Sequence, residues 1–195
     1  QLEFDETDYL NKIGQITSSG ENDRTILEKT WARPTFEING IYGGYIDEGT
    51  KTVIPSSASA KITCRLVGKQ DPKKILDNIH SFIKSNVPDG IKVNFKGADY
   101  CKAIEFDTDS EFFSVSSEAI KEEWGKAPVY TGGGGSIPVV EVFKTQLNMD
   151  TVLVGFALDD DRIHSPNEKY DLESFRKGIR SWARVINSFS ELQNV

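Results

Sequence analysis

The order of apolar and polar positions changes character twice along this 195-residue chain. The first 33 positions show no sustained period. Asp, Glu, Ser, Asn and Thr dominate there, and only residues 9–13 carry a short helical pattern, so the segment reads as an irregular lead-in. From Arg33 the pattern turns strand-like. Residues 35–41 alternate, with Phe36 and Ile38 on one face. Residues 52–67 predict a long strand, with Ile62, Cys64 and Leu66 on one side and Thr63, Arg65 and Val67 on the other. Gly43, Gly44 and Gly49 between them are turn signals. Asp71 followed by Pro72 marks a helix start, and Ile75, Ile79, Phe82 and Ile83 give that helix one apolar stripe. After the turn at Pro88, Asp89 and Gly90, the alternation of Ile91, Val93 and Phe95 with polar neighbours predicts a half-buried strand. Residues 34–105 thus read β-β-α-β, a small antiparallel sheet with a helix on one face.

The second half has a longer rhythm. Residues 110–124 predict a helix, 128–130 a short strand, 136–147 a helix with Pro138 in its first turn, and 151–158 a continuous apolar strand buried on both faces. A polar loop covers 159–168. Residues 173–192 form a strongly amphipathic helix with Phe175, Ile179, Trp182, Ala183, Ile186 and Phe189 on its apolar side. Helices alternating with strands indicate a parallel α/β unit, but two strands are too few for a complete sheet. The expectation is that the remaining strands come from elsewhere. The chain opens on Gln1, which agrees with a piece of something longer, and its first residues carry no secretory pattern.

Composition narrows the function classes. Hydrophobic residues make up 37% and charged residues 27%, as in a globular protein. No apolar run approaches the roughly 20 residues of a membrane span. The net charge of -7 argues against a nucleic-acid partner, which needs a basic footprint. Two cysteines, Cys64 and Cys101, make no disulfide framework and no Cys/His metal spacing; as free thiols they point to a reducing, cytoplasmic compartment.

In open parallel sheets, ligands gather beyond the carboxyl ends of the strands. Two loops leave such ends: 131–136, with four consecutive glycines, and 159–168. Glycines before a helix uncover backbone N–H groups that suit a phosphate or a carboxylate, although a ligand-free turn has the same composition. No Gly-Lys-Ser/Thr follows, which excludes a Walker loop. His164 is one of two histidines and lies in the second loop, where imidazole is a common metal ligand, a structural residue or a solvated one. His80 reads as a surface residue of its helix. Asp159, Asp160 and Asp161 read as a solvated turn, without the Gly and Glu of a calcium loop. Arg65 either meets solvent or grips a carboxylate with its two-pronged guanidinium.

Five blocks occur in a telling order: Arg33-Pro-Thr-Phe-Glu-Ile-Asn-Gly-Ile41, Gly49-Thr-Lys-Thr-Val-Ile-Pro55, Arg65-Leu-Val67, Gly134-Gly-Ser-Ile-Pro138 and His164-Ser-Pro-Asn-Glu168. Their spacing resembles the carnosinase-like and cytosolic dipeptidase branch of the zinc aminoacylase family, over about residues 33–190. The second and fifth blocks together carry the specificity.

The resemblance implies an α/β fold in two parts. One is an antiparallel-sheet α+β lid, or dimerisation, domain; the other is the C-terminal part of a mostly parallel α/β zinc-peptidase catalytic domain. Residues 1–33 would be a lead-in belonging to the lid, 34–105 part of the lid, and 106–195 the returning part of the catalytic domain. It implies a zinc-dependent metallopeptidase acting on dipeptides or related N-acyl amino acids, with two Zn2+ ions (Mn2+ as the alternative) and a homodimer formed through the lid. Zinc would generate a hydroxide and polarise the scissile carbonyl, while a glutamate shuttles the proton.

By the same resemblance, His164 is the last metal ligand. Arg65 contacts the substrate's carboxylate, Thr52 reaches the neighbouring subunit's active site, and Gly134, Gly135 and Ser136 bind the substrate's carboxylate end. No catalytic residue falls in this chain. The His-x-Asp motif, the Glu-Glu pair with the general base, the bridging aspartate and the lid histidine are absent from it, so the chain alone is expected to be inactive and not to hold the metals. Gly132 and Gly133 stand where the family often has a charged pair. A non-catalytic dimerisation module and an anion-binding domain using the glycine loop are the alternatives.

Overall fold

The computed structural model describes residues 4–97, 99–133 and 137–192. Six helices and two strands occur among them. They divide into two compact units, Gln1–Ile104 with Thr131–Glu141, and Glu105–Tyr130 with Val142–Val195. The division passes through one helix, α5 (Pro138–Gln146).

The first unit opens with two short helices where an irregular lead-in is expected. α1 (Glu6–Lys12) starts on Asp5, whose carboxylate accepts from the Thr7 and Asp8 N–H groups. α2 (Ile26–Ala32) starts on a capping box. The Thr25 hydroxyl accepts from the Glu28 N–H, and the Glu28 carboxylate accepts from the Thr25 N–H. Glu6 also accepts from the Ile26 N–H at 3.0 Å, tying α1 to the start of α2.

β1 (Glu37–Gly43) and β2 (Ala58–Thr63) form an antiparallel pair with a bulge between Ile38 and Gly40. Alternation holds beyond β2: Ile62, Cys64 and Leu66 are half-buried, while Lys61, Thr63 and Arg65 are exposed. The long strand expected over 52–67 is shorter, because 51–57 find no ladder partner. α3 (Pro72–Asn86) begins as expected, with Asp71 accepting from the Lys74 N–H at 3.0 Å. Phe82 departs from the stripe and stays exposed.

Residues 92–96 keep the expected alternation, with Val93 and Phe95 half-buried, but Ile91 is exposed and the segment pairs with no strand among the described residues. A strand needs a neighbour to satisfy its N–H and C=O groups in a ladder, and among the described residues the segment has none. Its packing survives. Phe95 stacks on His80 at 3.8 Å between ring centroids, with the Lys84 ammonium over the same ring, so His80 is half-buried rather than a surface residue.

The second unit is built on α4 (Glu111–Trp124) and α6 (Leu172–Leu192). α4 ends on Gly125 at φ 71°, a left-handed cap that glycine adopts without strain. Ala119, Ile120 and Val185 form the buried cluster, joined by Trp124, Val154 and Phe189. The Trp124 indole lies parallel to the Phe156 ring at 5.8 Å and donates to the Ser181 hydroxyl at 3.0 Å. Glu123 binds Arg180 and Arg184 across the helix pair.

The face of α6 that packs is not its large apolar stripe. Ser174, Gly178, Ser181 and Val185 are buried, whereas Phe175, Ile179 and Ile186 are 53%, 57% and 65% exposed. Ser181 meets Trp124 of α4, and Gly178 lies against the Phe156 ring, where a Cβ would stand 3.0 Å away, while Phe175, Ile179 and Ile186 are left outward. Residues 128–130 and 151–158 form no strand pairs, and Leu153 and Leu158 are exposed, so the second of these is not buried on both faces. The cause is the one acting at 91–97: no adjacent strand occurs among the described residues. No helix among the described residues is long and apolar enough to cross a membrane.

Candidate functional site

Arg65 is held at the backbone from both sides. Its carbonyl accepts from the Thr35 N–H at 3.0 Å, and its N–H donates to the Thr35 hydroxyl at 3.2 Å. These bonds extend the β1–β2 pairing past the end of β2 and hold the backbone of Arg65, an exposed residue, at its end. Nearby, Thr63 donates to Asn39 at 2.8 Å across the bulge. Cys64, between them, is half-buried; burial, then the neighbouring Glu37 charge, pushes its thiol above the ordinary cysteine range, which disfavours a reactive thiolate.

Thr52 lies in the exposed connection between β1 and β2, beside Val53 and Ile54, which are also solvent-facing. Lys51 sits over the Tyr45 ring at 5.6 Å and the Tyr45 hydroxyl donates to the Glu48 carbonyl at 3.3 Å, giving this loop internal contacts. Gly134, Gly135 and Ser136 lie outside the described residues. The loop entering them is constrained at Gly132, where a Cβ would stand 2.5 Å from Trp31 Cβ; at Gly133 the same space is open.

In the second unit, His164 is exposed, at φ 62°. Arg162 and Asn167 share this left-handed conformation, at φ 54° and 62°. For residues with a Cβ it costs about 1–2 kcal/mol each and persists where the surroundings impose it. The His164 N–H points toward the Glu168 carboxylate at 3.4 Å, and Ser165 closes a turn on the Arg162 carbonyl.

What holds this loop is Asp161, which is fully buried. One of its carboxylate oxygens accepts from the Leu158 N–H at 2.8 Å, and the other meets the Lys169 ammonium at 2.8 Å. The Lys169 N–H returns to the Asp161 carbonyl at 3.0 Å. The Lys169 ammonium, then the Leu158 N–H, holds the Asp161 carboxyl below the usual carboxylate range, while Asp161 and then Asp160 raise the Lys169 ammonium. The triple aspartate is therefore not simply a solvated turn. Its third member is an internal anchor, signalled in the sequence only by an Asp and a Lys bracketing the His-Ser-Pro-Asn-Glu block.

The His164 imidazole fits a metal as one donor, being accessible and carried on a loop of imposed shape. Among the described residues no group of three or more His, Cys, Asp and Glu side chains is brought together to hold a metal. One imidazole does not make a zinc site, which takes three or four protein ligands.

Residues 5–91 match the family model of the peptidase dimerisation domain. The Cys-Gly metallodipeptidase DUG1 of Candida albicans is 31% identical over 196 residues, covering 97% of this chain and 40% of the relative. The human Beta-Ala-His dipeptidase is 27% identical over 196 residues, covering 98% of this chain and 38% of its own length. Among solved structures, the dipeptidase Dug1p of Saccharomyces cerevisiae superposes with a TM-score of 0.75 at 28% identity, covering 97% of this chain and 40% of that one. The chain thus spans about 40% of the length of the curated relatives it matches. Residues 5–91 thus resemble a peptidase dimerisation domain, and the chain is similar to metallodipeptidases along nearly all of its own length.

Proposed function

We propose that this chain is the lid and the returning catalytic segment of a zinc-dependent dipeptidase, with the remaining catalytic elements outside it. The observation that carries the reading is continuous similarity: 97% of the chain aligns with a metallodipeptidase of which it spans 40%. The exposed apolar stripe of α6 and the unpaired segments at 128–130 and 151–158 support it, since a sheet supplied by further chain would cover the one and pair with the others. On this reading residues 34–105 belong to the lid, with 1–33 leading into it, and residues 106–195 to the catalytic domain.

Arg65, positioned through Thr35, would grip the carboxylate of a dipeptide or acyl-amino acid in a bidentate, charge-assisted contact. Gly134, Gly135 and Ser136 would meet the same end of the substrate, and Thr52 would serve the active site of a second subunit in a homodimer. His164 would be one ligand of the metal pair. When bound, such a pair polarises the scissile carbonyl and supplies a hydroxide at neutral pH. The free thiols Cys64 and Cys101 support a cytoplasmic location.

The test compares zinc content and Cys-Gly hydrolysis of this chain with those of the complete protein. Zinc and activity only in the complete protein are expected. Stoichiometric zinc on this chain alone would require ligands other than those assigned. A second reading, a non-catalytic dimerisation module, is favoured by the match over residues 5–91. It requires a dimer in sedimentation and no hydrolysis by the complete protein.

A further inference from the structure

We propose that Asp161 and Lys169 are positioning residues for His164: their ion pair, buried at Asp161 and solvent-facing at Lys169, closes the loop that carries the imidazole and imposes its left-handed backbone. The inference rests on the reading of His164 as a metal ligand. The geometry argues for it in three ways. First, Asp161 is fully buried although its two neighbours, Asp159 and Asp160, are exposed, so its side chain is turned inward by specific bonds and not by general packing. Second, both arms of the loop end on this residue. The Leu158 N–H enters its carboxylate, and Lys169 engages it twice, through the ammonium and through the backbone N–H. Third, the residues between are in conformations a free loop would abandon, with positive φ at Arg162, His164 and Asn167. Among the described residues, the hydrogen bond His164 makes of its own is a long backbone one, to Glu168 at 3.4 Å. Its placement is therefore delegated to the ends of the loop.

A charged pair suits this role better than an apolar contact. A buried carboxylate with one partner on each oxygen has a narrow range of satisfied orientations, and loss of the Lys169 ammonium leaves the buried Asp161 charge without its counter-charge, whereas Lys169 also meets Asp160 at 3.0 Å. The pair thus selects one loop conformation, and with it one direction for the imidazole. Supporting groups around metal ligands change affinity by about 10–100-fold when removed.

The experiment uses the complete protein with the variants Asp161→Asn, Lys169→Met, Lys169→Arg and His164→Ala. Zinc affinity is measured by competition with a chromophoric chelator. Amide hydrogen exchange is followed in the metal-free form at residues 162–168, with α4 and α6 as internal controls. Asp161→Asn and Lys169→Met are each expected to weaken zinc binding about tenfold and to speed exchange in the loop, leaving the two helices protected. Lys169→Arg restores both. Faster loop exchange with unchanged affinity overturns the inference, as does no change in either. Should Asp161→Asn lose protection in α4 and α6, the Lys169→Met and Lys169→Arg pair decides alone. Unchanged affinity in His164→Ala is a separate outcome: it removes the metal assignment itself.

Discussion

Asp161 and His164 stand three positions apart in opposite surroundings, one fully buried and the other exposed. The first follows a firm pH rule. Its folded carboxyl is depressed below the ordinary value of about 3.9, so its contribution to stability is complete above that value. It is lost as pH falls through the folded pKa. Lys169 is raised above about 10.4, so its contribution is complete below that and is lost as pH climbs through its folded pKa. Melting temperatures of wild type and Asp161→Asn are accordingly expected to differ most between about pH 5 and 9 and to converge at both extremes. Gly132 gives a second prediction. A methyl group there meets the Cβ of Trp31, which cannot swing away, so Gly132→Ala is expected to cost about 1–3 kcal/mol in denaturant unfolding. Gly133→Ala, with open space, is expected to be neutral or to stabilise by up to about 1 kcal/mol. The anchoring role of Asp161 was not readable from sequence because a lone buried charge leaves no periodic trace. The His-Ser-Pro-Asn-Glu block gave the loop's place in the chain but not its shape.

Among the elements, α3, α4, α5 and α6 follow from the apolar period and its caps, with ends within a residue or two of expectation. α2 has its signal too, since Thr25 precedes Glu28 by three positions, but the polar run around it hides a helix of only two turns. The strands show the limit of pattern. Alternation reports which face a residue takes, and it does so correctly at 62–66 and 93–95; whether a ladder forms depends on a neighbour the segment cannot specify. The amphipathic pattern of α6 likewise names an apolar face without naming what covers it. Its packed side is the row of small residues through Ser181 and Val185. Val185 is 1% exposed, so Val185→Ala is expected to lower the stability of this helix pair by about 2 kcal/mol, read from thermal or urea unfolding.

For the molecule as a whole, the outward row Phe175, Ile179 and Ile186 is the surface that the proposed reading assigns to contact with further chain. A solvated apolar stripe of this length attracts hydrophobic dyes. Ile179→Glu with Ile186→Glu is expected to reduce dye fluorescence of this chain without lowering its melting temperature. In the complete protein the same double change is expected to destabilise by several kcal/mol, as buried unpaired charges do. Equal tolerance in both settings would mean that nothing covers the stripe.

The closure at Asp161 and Lys169 also sets a rule of length. The two residues are eight positions apart and joined through both side chain and backbone, so the segment between them is a ring of fixed circumference. A ring tolerates changes in what its members are more readily than in how many there are. Within 162–168, single-residue insertions and deletions should therefore be excluded even where substitutions are accepted.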